Sequence, residues 1–323
     1  MLIMWTIFAG CSPCEVPATG GKALVWDGSS ASFQDVSGRA RRIARDGDGA
    51  LWTQADGALF KDGLESTQLV GPSEDLRIVD GRAVFLEINP QRQVWLHDPA
   101  GSAGVEIPES GNTYDAGLWG DSEGLHVLRV GDPGGLFLHS YAGGWELPYE
   151  LVPGLPQRNW LIVGPGPSWA RAAGLDFRVE AWDGTEVQSI GTIEGVDFVW
   201  ALIQDDQGEL FARVGSVDLS QALVAHAASG CVVELSELVA PFALVPQEQG
   251  VLAFGVTSTG EPSTVAVYSD CSLGARESVG SAIDASLHKS VLAGDGENPV
   301  VLLQYEQGSG SETFEFEEEP LCL

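Results

Sequence analysis

Five histidines, five cysteines, three acidic turns and a rich supply of tryptophan carry whatever chemistry this chain can do. His97, His126, His139, His226 and His288 are scattered along it. None falls in a Gly-x-Ser-x-Gly elbow, a Walker loop or a His-Glu-x-x-His pair. Those spacings place a nucleophile, a phosphate cradle or two zinc ligands at one point. An active centre here would have to be gathered from distant segments, so the sequence favours a binding protein over an enzyme and leaves catalysis open. Asp46-Gly47-Asp48-Gly49, Asp205-Asp206 and Asp295-Gly296-Glu297 offer the oxygens that calcium takes. None continues into a calcium loop with a distal Glu, so the carboxylates are expected to serve their own turns. No metal and no cofactor is expected.

The cysteines are Cys11, Cys14, Cys231, Cys271 and Cys322. No Cys/His ligand spacing suits zinc. If Cys11 is set aside, four remain, an even number that fits an oxidising compartment and allows three pairings. Cys14 and Cys322 flank the two ends of the folded region, and Cys231 and Cys271 sit at similar places in consecutive units; free buried thiols are the alternative. The tryptophans are expected to fill a core. Trp145, after two glycines, and Trp169, after Pro167, are the ones expected to be exposed, as weak candidates for a stacking platform.

Acidic residues outnumber basic ones 46 to 16, for a formal charge of −30. That balance argues against nucleic acid and against docking on anionic lipid, both of which need a basic surface. It favours a soluble, self-repelling monomer.

The elements that must position these groups are short strands. Asp46 to Gly63 reads as three Asp/Gly turns around two apolar strands, Ala50 to Gln54 and Ala58 to Lys61. Weaker copies follow. First strands are expected near residues 41, 75, 114, 159, 198, 241 and 288, at intervals of roughly 34 to 47 residues. Four strands with their turns fill such a period, which is that of a β-propeller blade. The expected fold is an all-β propeller, most simply of seven four-stranded blades, with six or eight as alternatives. Ser216 to Ala228 is the nearest thing to a helix, and it falls where a third strand is needed. Ala23 to Gly28 and Ser32 to Val36 look like the outer hairpin of a blade with no inner strands of its own, so they are expected to complete the C-terminal unit and close the ring. A Cys14–Cys322 bridge would staple that closure.

Two resemblances add to this. Asp46, Gly49, Leu51 and Trp52, echoed by Asp205, Gly208, Leu210 and Phe211, resemble the blades of bacterial two-component-regulator propellers, typically extracytoplasmic sensing or binding modules; the resemblance implies a binding module here, and the sensor role is not carried over. Phe8-Ala9-Gly10-Cys11, after an apolar start, resembles the lipobox of bacterial lipoproteins. That implies a signal peptide over 1–10, lipid attachment at Cys11, a flexible tether over 11–21, the propeller domain over 22–323, and a place in the bacterial cell envelope with the lipid as the only membrane contact; plain secretion is the alternative. The function that follows is binding of a protein, peptide or glycan. A propeller hydrolase or lactonase with a metal in its channel, and an envelope-assembly scaffold, are the other readings.

Overall fold

A computed structural model describes residues 21–305, apart from 27–30, 37–39, 56–57, 69–72, Pro90, 98–103, 109–111, 122–123, 132–133, 142–143, 155–160, Pro165, 217–220, 281–287 and 295–299. The leader, all of the tether but Gly21, Cys11, Cys14, Cys322 and the Asp295-Gly296-Glu297 turn lie outside the described residues.

The described residues form 28 strands and no helix. They group into seven antiparallel four-stranded sheets, here numbered as blades I to VII. Blade I joins both ends of the described chain, β1 (Gly21–Trp26) and β2 (Ala31–Val36) to β27 (His288–Gly294) and β28 (Val300–Tyr305). Blade II is β3 (Ala40–Arg45), β4 (Leu51–Ala55), β5 (Ala58–Lys61) and β6 (Leu64–Gln68). Blade III is β7 (Ser73–Val79), β8 (Arg82–Ile88), β9 (Val94–His97) and β10 (Val105–Glu106). Blade IV is β11 (Thr113–Asp121), β12 (Gly124–Gly131), β13 (Gly135–Tyr141) and β14 (Tyr149–Pro153). Blade V is β15 (Leu161–Val163), β16 (Ser168–Ala173), β17 (Asp176–Trp182) and β18 (Val187–Ile193). Blade VI is β19 (Phe198–Gln204), β20 (Leu210–Gly215), β21 (Leu223–His226) and β22 (Val232–Glu234). Blade VII is β23 (Val239–Pro246), β24 (Val251–Val256), β25 (Pro262–Val267) and β26 (Glu277–Ser278).

The sheets stand around a common axis. The innermost strands meet in the order β3, β7, β11, β15, β19, β23, β27 and back to β3. Each blade therefore has both faces covered, and its second strand loses the polar alternation of a one-sided sheet. Arg82–Ile88 is buried at every position after the first. The core is accordingly divided among seven clusters, one in each gap between blades. Between blades VI and VII, Phe211, Val224 and Leu235 meet Phe242, Leu244 and Val265. On the other side of blade VI, Leu210, Ala212 and Val214 meet Val179 and Ile193 of blade V.

The expected ring closure is present. β1 pairs with β28 from Lys22↔Tyr305 to Trp26↔Val301, and with β2 on its other side. The N-terminal hairpin thus covers the edge that β28 would otherwise expose. Leu223–His226 is the third strand of blade VI, as the period requires, and not a helix.

The repeated Asp/Gly turns tie blade to blade. Asp46 Oδ1 accepts hydrogen bonds from the backbone N–H groups of Asp48 and Ala50, at 3.1 and 2.8 Å, and Oδ2 accepts from Trp52 Nε1 at 2.8 Å. Asp205 Oδ1 accepts from Gln207 and Glu209 in the same way, while Oδ2 accepts from Gly250 N in the next blade, at 2.8 Å. Gly47 N donates to Gly81 O of the following blade at 2.9 Å, and a Cβ on Gly47 would lie 3.1 Å from Gly81 Cα. The carboxylates of these two turns are thus bound to backbone N–H groups, the chemistry their turns need.

Candidate functional site: one mouth of the central channel

Every blade repeats the same up-and-down order, so the innermost strands all run one way and their starts share one mouth of the channel. Near that mouth six of the seven innermost strands shift register. In five of them a single extra residue is inserted: Arg41, Glu74, Tyr114, Trp200 and Lys289. A bulge bends the strand and re-aims the side chains beside it. It also flips the phase of alternation. Val199 and Leu202, three apart, both face the gap with blade V, while Trp200 between them is left 38% exposed.

Trp200 is stacked on Phe198, with ring centroids 5.2 Å apart and planes 26° apart. Its indole lies over Gly215 of β20, where an added Cβ would come within 2.7 Å of Trp200 Nε1. Tyr114, in the equivalent bulge of blade IV, lies under Arg92, 5.9 Å from the guanidinium.

The level just inside the bulges carries charges of both signs. Arg41, Arg42 and Arg45 lie on β3, and Arg42 is the first residue after its bulge. In blade VI the same position is Ala201, and the residue paired with it on β20 is Arg213. Arg213 Nη1 donates to Phe242 O, at the register shift of β23, at 2.6 Å. Its Nε is buried with no hydrogen-bond partner among the described residues. Burial, and after it the like charge of Arg42 from the far side of the ring, bring the Arg213 guanidinium down to about 10. In blade III this position is Asp75, and in blade IV it is Asp115. The Asp75 carboxylate accepts from Leu76 N, Arg77 Nε and, across the gap, Leu118 N, at 2.9 to 3.0 Å.

The opposite mouth carries two Ser–His–acid rows. His126 Nδ1 lies 2.9 Å from Ser140 Oγ, and its Nε2 lies 3.0 Å from Asp121 Oδ1. His226 Nδ1 lies 3.0 Å from Ser229 Oγ, and its Nε2 lies 2.9 Å from Glu209 Oε2. Each histidine is packed on an aromatic ring, Trp119 or Phe211; Asp121 is the last residue of β11 and Glu209 lies in the turn between β19 and β20. They occupy the place that Trp52 and Lys61 hold toward Asp46 in blade II. The rows are therefore read as ties between turn and sheet. His139 is fully buried beside Arg129, whose Nε donates to His139 Nε2 at 2.8 Å. Burial first, and the Arg129 charge second, hold His139 down at about 3, so it is neutral. His97 stacks on Phe85 and lies 2.8 Å from Glu87; burial lowers its pKa despite that carboxylate.

The other candidate residues divide as follows. Cys231 and Cys271 form a disulfide between blades VI and VII, with Cα atoms 6.3 Å apart. Trp169 is not exposed: it is fully buried in the gap between blades IV and V, its Nε1 donating to Glu180, which also pairs with Arg171. Trp145 is half-buried against the cluster between blades III and IV, tilted on Tyr141. The tryptophan that does stand open is Trp200, at 38% exposure, with the tyrosines Tyr149 and Tyr268 exposed elsewhere; sequence reasoning placed Trp200 in a strand and assigned it to the core. The signal available was the run Phe198-Val199-Trp200-Ala201-Leu202, whose apolar positions do not fit one alternating phase. Among the described residues no three His, Cys, Asp or Glu side chains converge as a metal site would require.

No protein-family model and no curated protein matches this chain. Solved structures do resemble it. The β-propeller domain of Cps50 (Swd1) from Myceliophteria thermophila superposes with a TM-score of 0.50 at 11% identity, covering 74% of this chain and 94% of that one. A structure from a study of two prolyl endopeptidases superposes with a TM-score of 0.50 at 14% identity, covering 86% of this chain and 50% of that one. The computationally designed Ika8 protein gives 0.49 at 15% identity, with 88% and 91% covered.

The chain is a β-propeller.

At these identities the likeness shows the fold alone. Propellers commonly serve as interaction modules, but the fold hosts many activities, so function has to be argued from the channel mouth.

Proposed function

We propose that this propeller is a binding module of the bacterial cell envelope, tethered by a lipid on Cys11, that holds a protein, peptide or glycan at the mouth bearing Phe198 and Trp200. The observation that carries the reading is Trp200 itself, 38% exposed and stacked on Phe198 at the rim of the channel. Exposed large aromatics that are braced from behind are the usual anchors of binding surfaces, because they bury much area at little entropic cost. The bulges that line the same mouth supply side chains of varied chemistry on a rigid ring, which suits recognition. The lipobox-like Phe8-Ala9-Gly10-Cys11 supports the anchor, and the Cys231–Cys271 disulfide fits an oxidising compartment.

Purified protein displayed against glycan and peptide arrays tests the binding. A ligand retained by the wild type and lost by Trp200→Ala, with an unchanged melting midpoint, is expected; retention by the variant refutes the site. For the anchor, labelled fatty acid in a bacterial host should enter the wild type and not Cys11→Ser. Equal label in both would sink it.

A further inference from the structure

We propose that the Cys231–Cys271 disulfide is a thiol–disulfide exchange site that oxidises paired cysteines in apolar peptide segments, with Cys231 as the leaving sulfur. The site lies at the mouth opposite Trp200 and stands apart from the ligand reading of that residue.

Three observations carry it. The first is a row of hydrogen bonds that ends on sulfur. Glu209 Oε2 lies 2.9 Å from His226 Nε2, and His226 Nδ1 lies 3.0 Å from Ser229 Oγ. Ser229 Oγ then donates to Cys231 Sγ at 3.0 Å. In blade IV the matching serine, Ser140, sits on β13 directly across from His126. In blade VI the serine has moved into the turn after β21, where it reaches the bridge. A disulfide sulfur is a weak acceptor, whereas a thiolate is a strong one. The hydroxyl therefore favours the reduced, charged form of Cys231 over the bridged form. That makes the bridge easier to open and Cys231 the better leaving group.

The second is the backbone of Cys271. It stands in the left-handed region at φ 59°, in a turn closed by Cys271 N donating to Tyr268 O at 2.9 Å. Gly or Asn adopts that conformation at lower cost. In the facing turn it is Gly230 that takes it, at φ 69°. Strain of this kind gathers where a side chain has to be presented, and here the side chain presented is a sulfur.

The third is the rim. Both cysteines are half-buried, so the bridge lies at the surface. Val232 follows Cys231 directly, Tyr268 and Leu273 stand on either side of Cys271, and all three are exposed. Exposed apolar side chains beside a reactive bond suit an apolar peptide better than a small polar thiol.

A first peptide thiol gives up its proton, which is taken up at His226 Nδ1, and its thiolate attacks Cys271 Sγ. The Cys231–Cys271 bond breaks, and its electron pair leaves on Cys231 Sγ as a thiolate held by the Ser229 hydroxyl. The imidazolium donates from Nδ1 to Ser229 Oγ and from Nε2 to Glu209, along the row already in place. A second peptide thiolate then attacks the peptide's own sulfur in the mixed disulfide and displaces Cys271, which takes up that thiol's proton. The peptide is oxidised by two electrons to a disulfide. The protein's bridge is reduced to the Cys231 thiolate and the Cys271 thiol.

The oxidised full chain is mixed with three reductants: a two-cysteine peptide with apolar residues beside its cysteines, the same peptide with Asp in those places, and glutathione. Acid quenching, alkylation and peptide mapping follow Cys231 and Cys271 separately from the other cysteines. The apolar peptide is expected to open the bridge at least tenfold faster than either of the others. A one-cysteine form of it is expected to be caught as a mixed disulfide on Cys271. Ser229→Ala is expected to slow opening at least tenfold and to shift the equilibrium in glutathione buffers tenfold toward the disulfide, about 30 mV in potential. Ser229→Thr, which keeps the hydroxyl, is expected to restore both. His226 acts through Ser229 as a positioning residue, so His226→Gln is expected to shift the potential the same way; if that variant does not fold, the Ser229 pair decides. A bridge that none of the three reductants opens overturns the exchange site, as does Ser229→Ala with the wild-type rate and potential. A mixed disulfide on Cys231 overturns its assignment as the leaving sulfur. Glutathione or the acidic peptide acting as fast as the apolar peptide overturns the apolar peptide as substrate.

Discussion

Acidification should destabilise this protein through His139, before most of its carboxylates titrate. His139 is fully buried, accepts a hydrogen bond from Arg129 Nε on its Nε2, and is held down at about 3 against an ordinary 6.5. Below pH 6.5 the unfolded chain takes up a proton that the folded protein refuses. Stability that is complete above pH 6.5 is therefore lost progressively down to about pH 3. The linkage relation gives a loss of about 2 kcal/mol between pH 7 and pH 5, and roughly 3 kcal/mol by pH 4. Set against a total of about 5–15 kcal/mol for a folded domain, that is a large fraction. His97, also lowered by burial, adds a loss of the same sign. Urea titrations at pH 7, 6, 5 and 4 measure the effect. The decisive comparison is His139→Gln, whose amide oxygen can still accept from Arg129 Nε but does not titrate. The variant should show a flatter dependence between pH 7 and pH 5, by about 2 kcal/mol. Identical slopes for the two proteins would refute the reasoning, because His97 and all carboxylates are common to both.

Three other outcomes are expected. Removing the Cys231–Cys271 bridge, whose partners are 40 residues apart, should lower stability by at most about 4 kcal/mol in the chain-entropy model; the double Cys→Ser variant, compared by denaturant midpoint, should fall by less than this because the ring already holds blades VI and VII together. Deleting residues 21–36 strips β1 and β2 from blade I, so light scattering should reveal aggregation through the bared edge of β28, and a truncated protein that melts like the parent would argue against closure by the N-terminal hairpin. Gly215→Ala places a methyl 2.7 Å from Trp200 Nε1, so the indole must shift; tryptophan emission should move and array binding weaken, with a spectrum like the wild type's counting against the braced shelf.

Much of the architecture was legible in the chain. First strands expected near 41, 75, 114, 159, 198, 241 and 288 begin at Ala40, Ser73, Thr113, Leu161, Phe198, Val239 and His288. Turn residues are read locally, because an Asp or Gly needs only its own backbone to make a turn, and those turns recur once or more per blade. The closing hairpin was legible for a related reason: two strands without inner partners need an edge, and the last unit offered one. The site was not legible. Trp169 and Trp145 were marked for exposure by the Pro and Gly before them, yet their burial is decided by which blade comes next. Trp169 fills the gap between blades IV and V, and Trp145 leans on the gap between III and IV.

The division follows from range. Strand, turn and period depend on contacts within about a dozen residues, and the amino-acid order states them directly. Alternation, too, is local, and it holds until a bulge inserts a residue and reverses the face of everything before it. Whether Trp200 is covered by a neighbour or left open at the mouth depends on closing seven blades into a ring. Arg42 and Arg213 are far apart in sequence and lie in blades that do not touch in the ring order. No local pattern records which residues of such blades share a level of the channel; the ring's geometry alone decides it.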